Sequence, residues 1–153
     1  CKPDAEGSLP LMHACANNLS VEVIEYLHEK NANAVRAVDS FGCAAIHYAA
    51  FYGCVNTVKY LVHLEPECAN MVEGNGALPL HDAAQNQRDI YSTEMVEYLL
   101  QVNPEAARKR DDYGAFPLHK AVKSSSLAVV KLIHAAFPKV LQFLLRFHVR
   151  AAC

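Results

Sequence analysis

Eight histidines and six cysteines give this 153-residue chain the raw material for metal binding or thiol chemistry. Their spacing argues against both. Cys1, Cys15, Cys43, Cys54, Cys68 and Cys153 form no Cys-x-x-Cys pair, and no Cys/His grouping has zinc-finger spacing. An even count could make three disulfides in a secreted protein. Here the cysteines stand singly inside apolar helical patterns, which predicts free, mostly buried thiols in a reducing, intracellular compartment. His28-Glu29 has Ala32 where the second histidine of a His-Glu-x-x-His motif would be.

Catalytic patterns are missing too. There is no Gly-x-Ser-x-Gly, and no phosphate loop ending in Gly-Lys-Ser/Thr. Gly74-Asn75-Gly76 has no third glycine in register. The formal net charge is -2, and the dense basic run Arg108-Lys109-Arg110 is followed at once by Asp111-Asp112. Phosphate neutralisation needs a concentrated cationic surface, so nucleic acid is not the expected partner. Ser40–Val58 holds 19 residues without Asp, Glu, Lys or Arg, long enough to span a bilayer. Gly42, His47, Gly53 and Asn56 interrupt it, and it lies in register with charged segments elsewhere, so no membrane insertion is expected. No signal peptide is legible. The first residue is Cys1 rather than Met, which suggests a piece of a longer protein.

The elements that position these residues repeat. Gly7-Ser-Leu-Pro-Leu-Met-His-Ala14, Gly42-Cys-Ala-Ala-Ile-His-Tyr-Ala49, Gly76-Ala-Leu-Pro-Leu-His-Asp-Ala83 and Gly114-Ala-Phe-Pro-Leu-His-Lys-Ala121 align, with glycines 35, 34 and 38 residues apart. Asp4, Asp39, Glu73 and Asp111 stand three places before the glycines. Acid and glycine predict a turn, since glycine takes positive φ without steric cost and Asp bonds nearby backbone. Proline at the first helical position opens a short helix rich in small residues. A longer helix follows, with apolar residues at i, i+3 and i+4. Ser20, Ser92 or Thr93, and Ser126 stand at its expected N-cap, and Pro66, Pro104 and Pro138 follow its expected end.

These residues resemble the ankyrin repeat, with its glycine turn, Pro-Leu-His-x-Ala and two antiparallel helices. The resemblance runs from Asp4 to about Leu144 and implies an all-α, ankyrin-type α-solenoid of stacked helix-turn-helix repeats with short hairpin fingers. The repeats are expected at about 4–38, 39–72, 73–110 and 111–144, in one array over 1–153. The first has Met12 in the histidine register and His13 one place late. The second has Ala45 for proline, and the third carries about four extra residues in Asn86–Thr93. Gln87–Tyr91 is expected to form a loop. Residues 139–153 are atypical: Lys139–Arg150 reads as an amphipathic helix that caps the stack, or as a truncated or aberrant terminus.

His47, His81 and His119 then occupy one register. Ligands of one metal lie within about 2 Å of it, whereas stacked helices set equivalent side chains about 8–10 Å apart. Each imidazole is therefore expected to bond turn backbone and join one unit to the next, and neither metal nor cofactor is expected. His28 and His134 share a register on the outer surface. Tyr26, Tyr60 and Tyr98 are expected to be half-buried between units, with wet hydroxyls.

The resemblance implies a non-catalytic module that binds a protein or peptide on its concave face. The fold leaves the variable positions there free. They include Phe41, Asn75 and Tyr113 before the turn glycines, Tyr48, Asp82 and Lys120 after the histidines, and Phe51-Tyr52, Gln85-Asn86 and Lys123-Ser124 near the first-helix ends. Phe41, Tyr48, Phe51, Tyr52, Asp82, Tyr113 and Lys120 are the candidate partner-binding residues; the aromatics suit interface hot spots. Packing between helices is the alternative for Phe51 and Tyr52. Asp82 beside Lys120 would make the face mixed in charge. A monomeric, cytoplasmic module is expected. The alternative is a regulatory or targeting segment of a larger multidomain enzyme or channel, with the chemistry elsewhere.

Overall fold

The computed structural model describes residues 2–52, 54–86, 89–124 and 127–140. Helices run in pairs: α1 (Pro10–Ala16) with α2 (Val21–Lys30), α3 (Ala45–Tyr52) with α4 (Val55–Leu64), α5 (Pro79–Gln85) with α6 (Asp89–Val102), and α7 (Pro117–Ser124) with α8 (Leu127–Ala136). Among the described residues there is no strand, only an isolated bridge between Val38 and Ala44. The first helices stack in the order α1, α3, α5, α7, and the second helices in the order α2, α4, α6, α8. This is the all-α solenoid with hairpin fingers expected from the repeats. Among the described residues no helix is long and apolar enough to cross a membrane.

Composition explains the stacking. Ala14, Cys15, Ala49, Ala50, Ala83, Ala84 and Ala121 are buried, and their small side chains let neighbouring first helices approach closely. Leu11, Ile46, Leu80 and Leu118, each following the proline or alanine that opens its helix, fill the space between the two helix layers together with Ile24, Val58, Leu61, Met95 and Ile133. Cys15, Cys54 and Cys68 are buried free thiols, and Cys43 is a half-buried one; burial pushes the Cys15 and Cys68 thiols up to about 12. Pro66 and Pro104 each open a short 3₁₀ turn beyond a second helix, at Pro66–Asn70 and Pro104–Arg108.

Three of the four fingers are turns closed by their acid. Asp39 Oδ1 accepts the Phe41 and Cys43 N–H groups at 2.9 and 3.0 Å, and Asp111 Oδ1 those of Tyr113 and Ala115 at 3.1 and 2.8 Å. Asp4 does the same for Glu6 and Ser8. In the third finger Asn75 Oδ1 takes the Ala77 N–H at 3.0 Å, and the longer Glu73 side chain is released for other contacts. Adjacent fingers are joined by main-chain bonds: Ser40 N–H to Glu6 O at 2.9 Å, Gly74 N–H to Phe41 O at 2.8 Å, and Asp112 N–H to Asn75 O at 2.8 Å.

The histidine register is structural. His47 Nδ1 accepts the Ala44 N–H at 3.1 Å, so the neutral ring carries its proton on Nε2, which donates to Met71 O at 3.0 Å. His81 repeats this with Leu78 N–H at 3.1 Å and Ala115 O at 3.2 Å, reaching the next finger. His119 Nδ1 accepts the Phe116 N–H at 2.9 Å, and its ring stacks on Phe116. In the first pair the Met12 thioether takes over the acceptor role, 3.4 Å from the Leu9 nitrogen.

Several expectations are corrected. Asp89–Tyr91 is helical rather than loop, so part of the inserted stretch lengthens α6 at its N-terminus. No Gly or Pro lies between Asp89 and Val102 to stop the helix. Gln87 and Arg88 lie outside the described residues, as do Ser126, Cys1, Cys153 and all of the expected terminal helix beyond Val140, which is itself buried. Ser20 occupies the N-cap of α2 without a side-chain cap bond. Tyr60 and Tyr98 are half-buried, but Tyr26 is 58% exposed. Tyr60 meets His28 edge-on and Tyr98 meets Lys59, each on the preceding second helix, whereas Tyr26 has Lys30 of its own helix over its ring. His28 and His134 are half-buried rather than on the outer surface.

Candidate functional site

The fingers and first helices enclose a cleft of about 320 Å³. Its finger side is Cys43, Glu73, Asn75 and Ala77, and its helix side comes from α3, α5 and α7. Five of the seven candidates line it: Tyr48, Phe51, Tyr52, Asp82 and Lys120. Phe51 and Tyr52 pack edge to face, 5.1 Å between centroids, yet remain 40% and 38% exposed, so neither is taken up between helices. Phe41 and Tyr113 stand apart on finger tips, 60% and 80% exposed. Asn86, another variable position, is buried. A larger depression of about 430 Å³, lined by Asn18, Ser20, Asn56 and Glu94 among others, lies at the turns joining paired helices and touches none of the seven candidates.

One spacing in the cleft escapes a reading of single positions. Each finger acid faces the residue nine places later, on the first helix. His13 Nε2 is 2.6 Å from Asp4 Oδ2. The Tyr48 hydroxyl donates to Asp39 Oδ2 at 2.5 Å. The Lys120 ammonium is 3.0 Å from Asp111 Oδ2, with the Asp111 side chain fully buried. The shift of histidine from place 12 to 13 thus swaps a turn-binding imidazole for a thioether and gives Asp4 its donor. At the third finger the rule fails: Glu73 is matched with Asp82, acid with acid. Glu73 Oε2 accepts the Cys43 S–H at 3.0 Å, while Asp82 Oδ2 is buried without a hydrogen-bond partner. The spacing was open to inspection in the aligned repeats, where Asp4/His13, Asp39/Tyr48 and Asp111/Lys120 all pair an acid with a donor.

The electrostatics follow. Burial, reinforced by the Glu73 charge and only partly offset by Lys120, holds the Asp82 carboxyl well above the usual carboxylate range. Burial acts on Asp111 in the same sense, but the Ala115 N–H and the Lys120 ammonium outweigh it and hold that carboxyl low. Lys120 therefore pairs with Asp111 and reaches Asp82 only as a partial offset. Burial and the bond to Glu73 raise the Cys43 thiol, so it is not a reactive thiolate. Among the described residues no group of three or more His, Cys, Asp or Glu could hold a metal ion.

A pH dependence results. A carboxyl raised in the folded state adds stability that is complete below its unfolded value, about 3.9, and is lost as pH rises through the folded value. Burying Asp82 is therefore a liability at neutral pH, where the unfolded chain carries it ionised. Asp82→Asn should melt about 3 °C above wild type at pH 7.5, the shift expected from roughly 1 kcal/mol in a chain of this size. The gap should close as pH falls towards the ordinary carboxylate range. His47, His81 and His119, all lowered chiefly by burial, lose stability as pH falls through their folded values. They do so in both proteins, so they cancel in the difference. Thermal melts of the two proteins from pH 5 to 8 measure it, and a constant gap would refute the assignment.

Comparison with the curated proteins finds no significant match. A family model described as ankyrin repeats (three copies) matches residues 1–71 and again 63–142. The two matches cover the helix pairs, the glycine fingers and the histidine register described above, and the chain belongs to the ankyrin-repeat family.

Proposed function

We propose that the chain is a non-catalytic module that binds a protein or peptide on its concave face, through the cleft and the flanking finger tips. Ankyrin repeats are generally protein–protein interaction modules and typically not enzymes, which supports the reading. The observation that carries it is the convergence of Tyr48, Phe51, Tyr52, Asp82 and Lys120 on one cleft. Phe51 and Tyr52 leave much of their rings in solvent, as anchors awaiting a partner do. Phe41 and Tyr113 extend the surface by one finger on either side of Asn75. In this reading the array comprises repeats at about 4–38, 39–72, 73–110 and 111–144, acting as a monomer in the cytoplasm. The balanced charge favours protein over nucleic acid.

Affinity capture followed by mass spectrometry tests it with two double variants, Phe51→Ala/Tyr52→Ala and Phe41→Ala/Tyr113→Ala. Each should retain its helical circular dichroism and lose about tenfold or more of the same captured partner. An unchanged partner list for both folded variants would remove these residues from the site.

A further inference from the structure

We infer that the cleft seats an arginine side chain of the protein partner between Glu73 and Asp82. This rests on the docking reading above and names its chemistry. Three fingers pair their acid with a donor nine residues on, and the third places a second acid there. The cleft consequently holds a carboxyl whose Oδ2 is buried without a partner, with the Glu73 carboxylate close enough to disfavour its charge. The Lys120 ammonium is bound to Asp111 and offsets the charge at Asp82 only in part. A cation brought by the partner completes the pattern. The surroundings favour guanidinium over ammonium. Tyr48, Phe51 and Tyr52 line the same cleft, and a planar guanidinium stacks on aromatic faces while its fork of N–H groups serves two carboxylates at once. An ammonium is a compact, strongly hydrated point charge and loses more water on entry.

The probes are three blocked tripeptides, acetyl-Leu-Arg-Leu-amide and its citrulline and lysine counterparts, titrated into the ¹⁵N-labelled full chain. The arginine peptide should move the backbone amides of Glu73–Ala77 and Asp82–Gln85, with an affinity that falls as salt rises. Citrulline keeps the shape without the charge and should bind at least tenfold more weakly. Glu73→Gln and Asp82→Asn should each weaken the arginine peptide about tenfold. Asp82→Lys should abolish its binding while raising the melting temperature, because a lysine there supplies in cis what Lys120 supplies to Asp111. That opposite movement of stability and binding is not expected of a merely structural residue. Equal binding of the citrulline peptide, or of the arginine peptide to Glu73→Gln and Asp82→Asn, would overturn the seat. Equal binding of the lysine peptide would overturn the guanidinium assignment. Capture of the natural partner discriminates further. Loss with Phe51→Ala/Tyr52→Ala but not with Asp82→Lys sinks the arginine seat and leaves the docking reading standing. Retention by both aromatic double variants, with the arginine peptide still bound, sinks the docking reading instead.

Discussion

Gly74→Ala should lower the unfolding free energy by about 3 kcal/mol, near the upper end for forcing an extra methyl into a packed site. A methyl built on Gly74 would stand 2.3 Å from the Phe41 carbonyl oxygen and 3.1 Å from its carbon. That oxygen is the acceptor of the Gly74 N–H, so the clash falls on the bond that joins the second and third fingers. Backbone meets backbone there, and no flexible side chain can swing aside. The matched control is Gly114→Ala, which meets nothing within 4 Å. Its cost is the left-handed backbone alone, φ +76°, and amounts to about 1–2 kcal/mol. Urea denaturation of both variants measures the difference. If Gly74→Ala unfolds no earlier than Gly114→Ala, the finger-to-finger contact contributes nothing.

His81→Ala is the other large effect, again about 3 kcal/mol. The ring is 1% exposed. Its loss strands the Leu78 N–H in the interior and takes one of two bonds from the Ala115 carbonyl, which keeps the Asp111 N–H, at about 1–3 kcal/mol for an unsatisfied buried group, and leaves a void as well. His119→Ala should cost only about 1 kcal/mol, because that imidazole is half-buried and serves the turn of its own helix pair. Both variants should still capture the partner. Equal melting temperatures would show that the bond from His81 to the following finger adds no stability.

Much of this was legible in the residues. Glycine after an acid, proline at a helix start and paired alanines are local devices, each with one geometric solution, so the fingers and first helices follow from them directly. Gly7, Gly42, Gly76 and Gly114 all take positive φ. The histidine role was legible in part: one register recurs three times and each ring accepts a turn N–H, while the reach to later backbone is seen from His47 and His81. The inserted stretch was harder: between Asp89 and Tyr91 no residue is a helix breaker, and only packing decides whether extra residues bulge or wind. Tyr26 was harder still, since the same residue in the same register is covered by a preceding helix at two positions and not at the first. The cleft itself was half visible. Its side chains stand at variable places, but the Asp111–Lys120 pairing moves the positive charge away from Asp82, and that partition appears only when the acid and helix registers are compared nine residues apart.

The links between finger tips all point one way, the later finger giving its amide proton and the earlier its carbonyl. With one such main-chain link per junction, the row resembles the slats of a blind more than a plate. Behind it the helices are bolted by continuous apolar contact, while in front the slats are tied by hydrogen bonds alone, the main-chain links and side-chain ones such as Cys43 to Glu73 and His81 to Ala115. A guest laid along the front therefore meets the polar ties between slats and not the greasy wall behind them, which keeps the array folded.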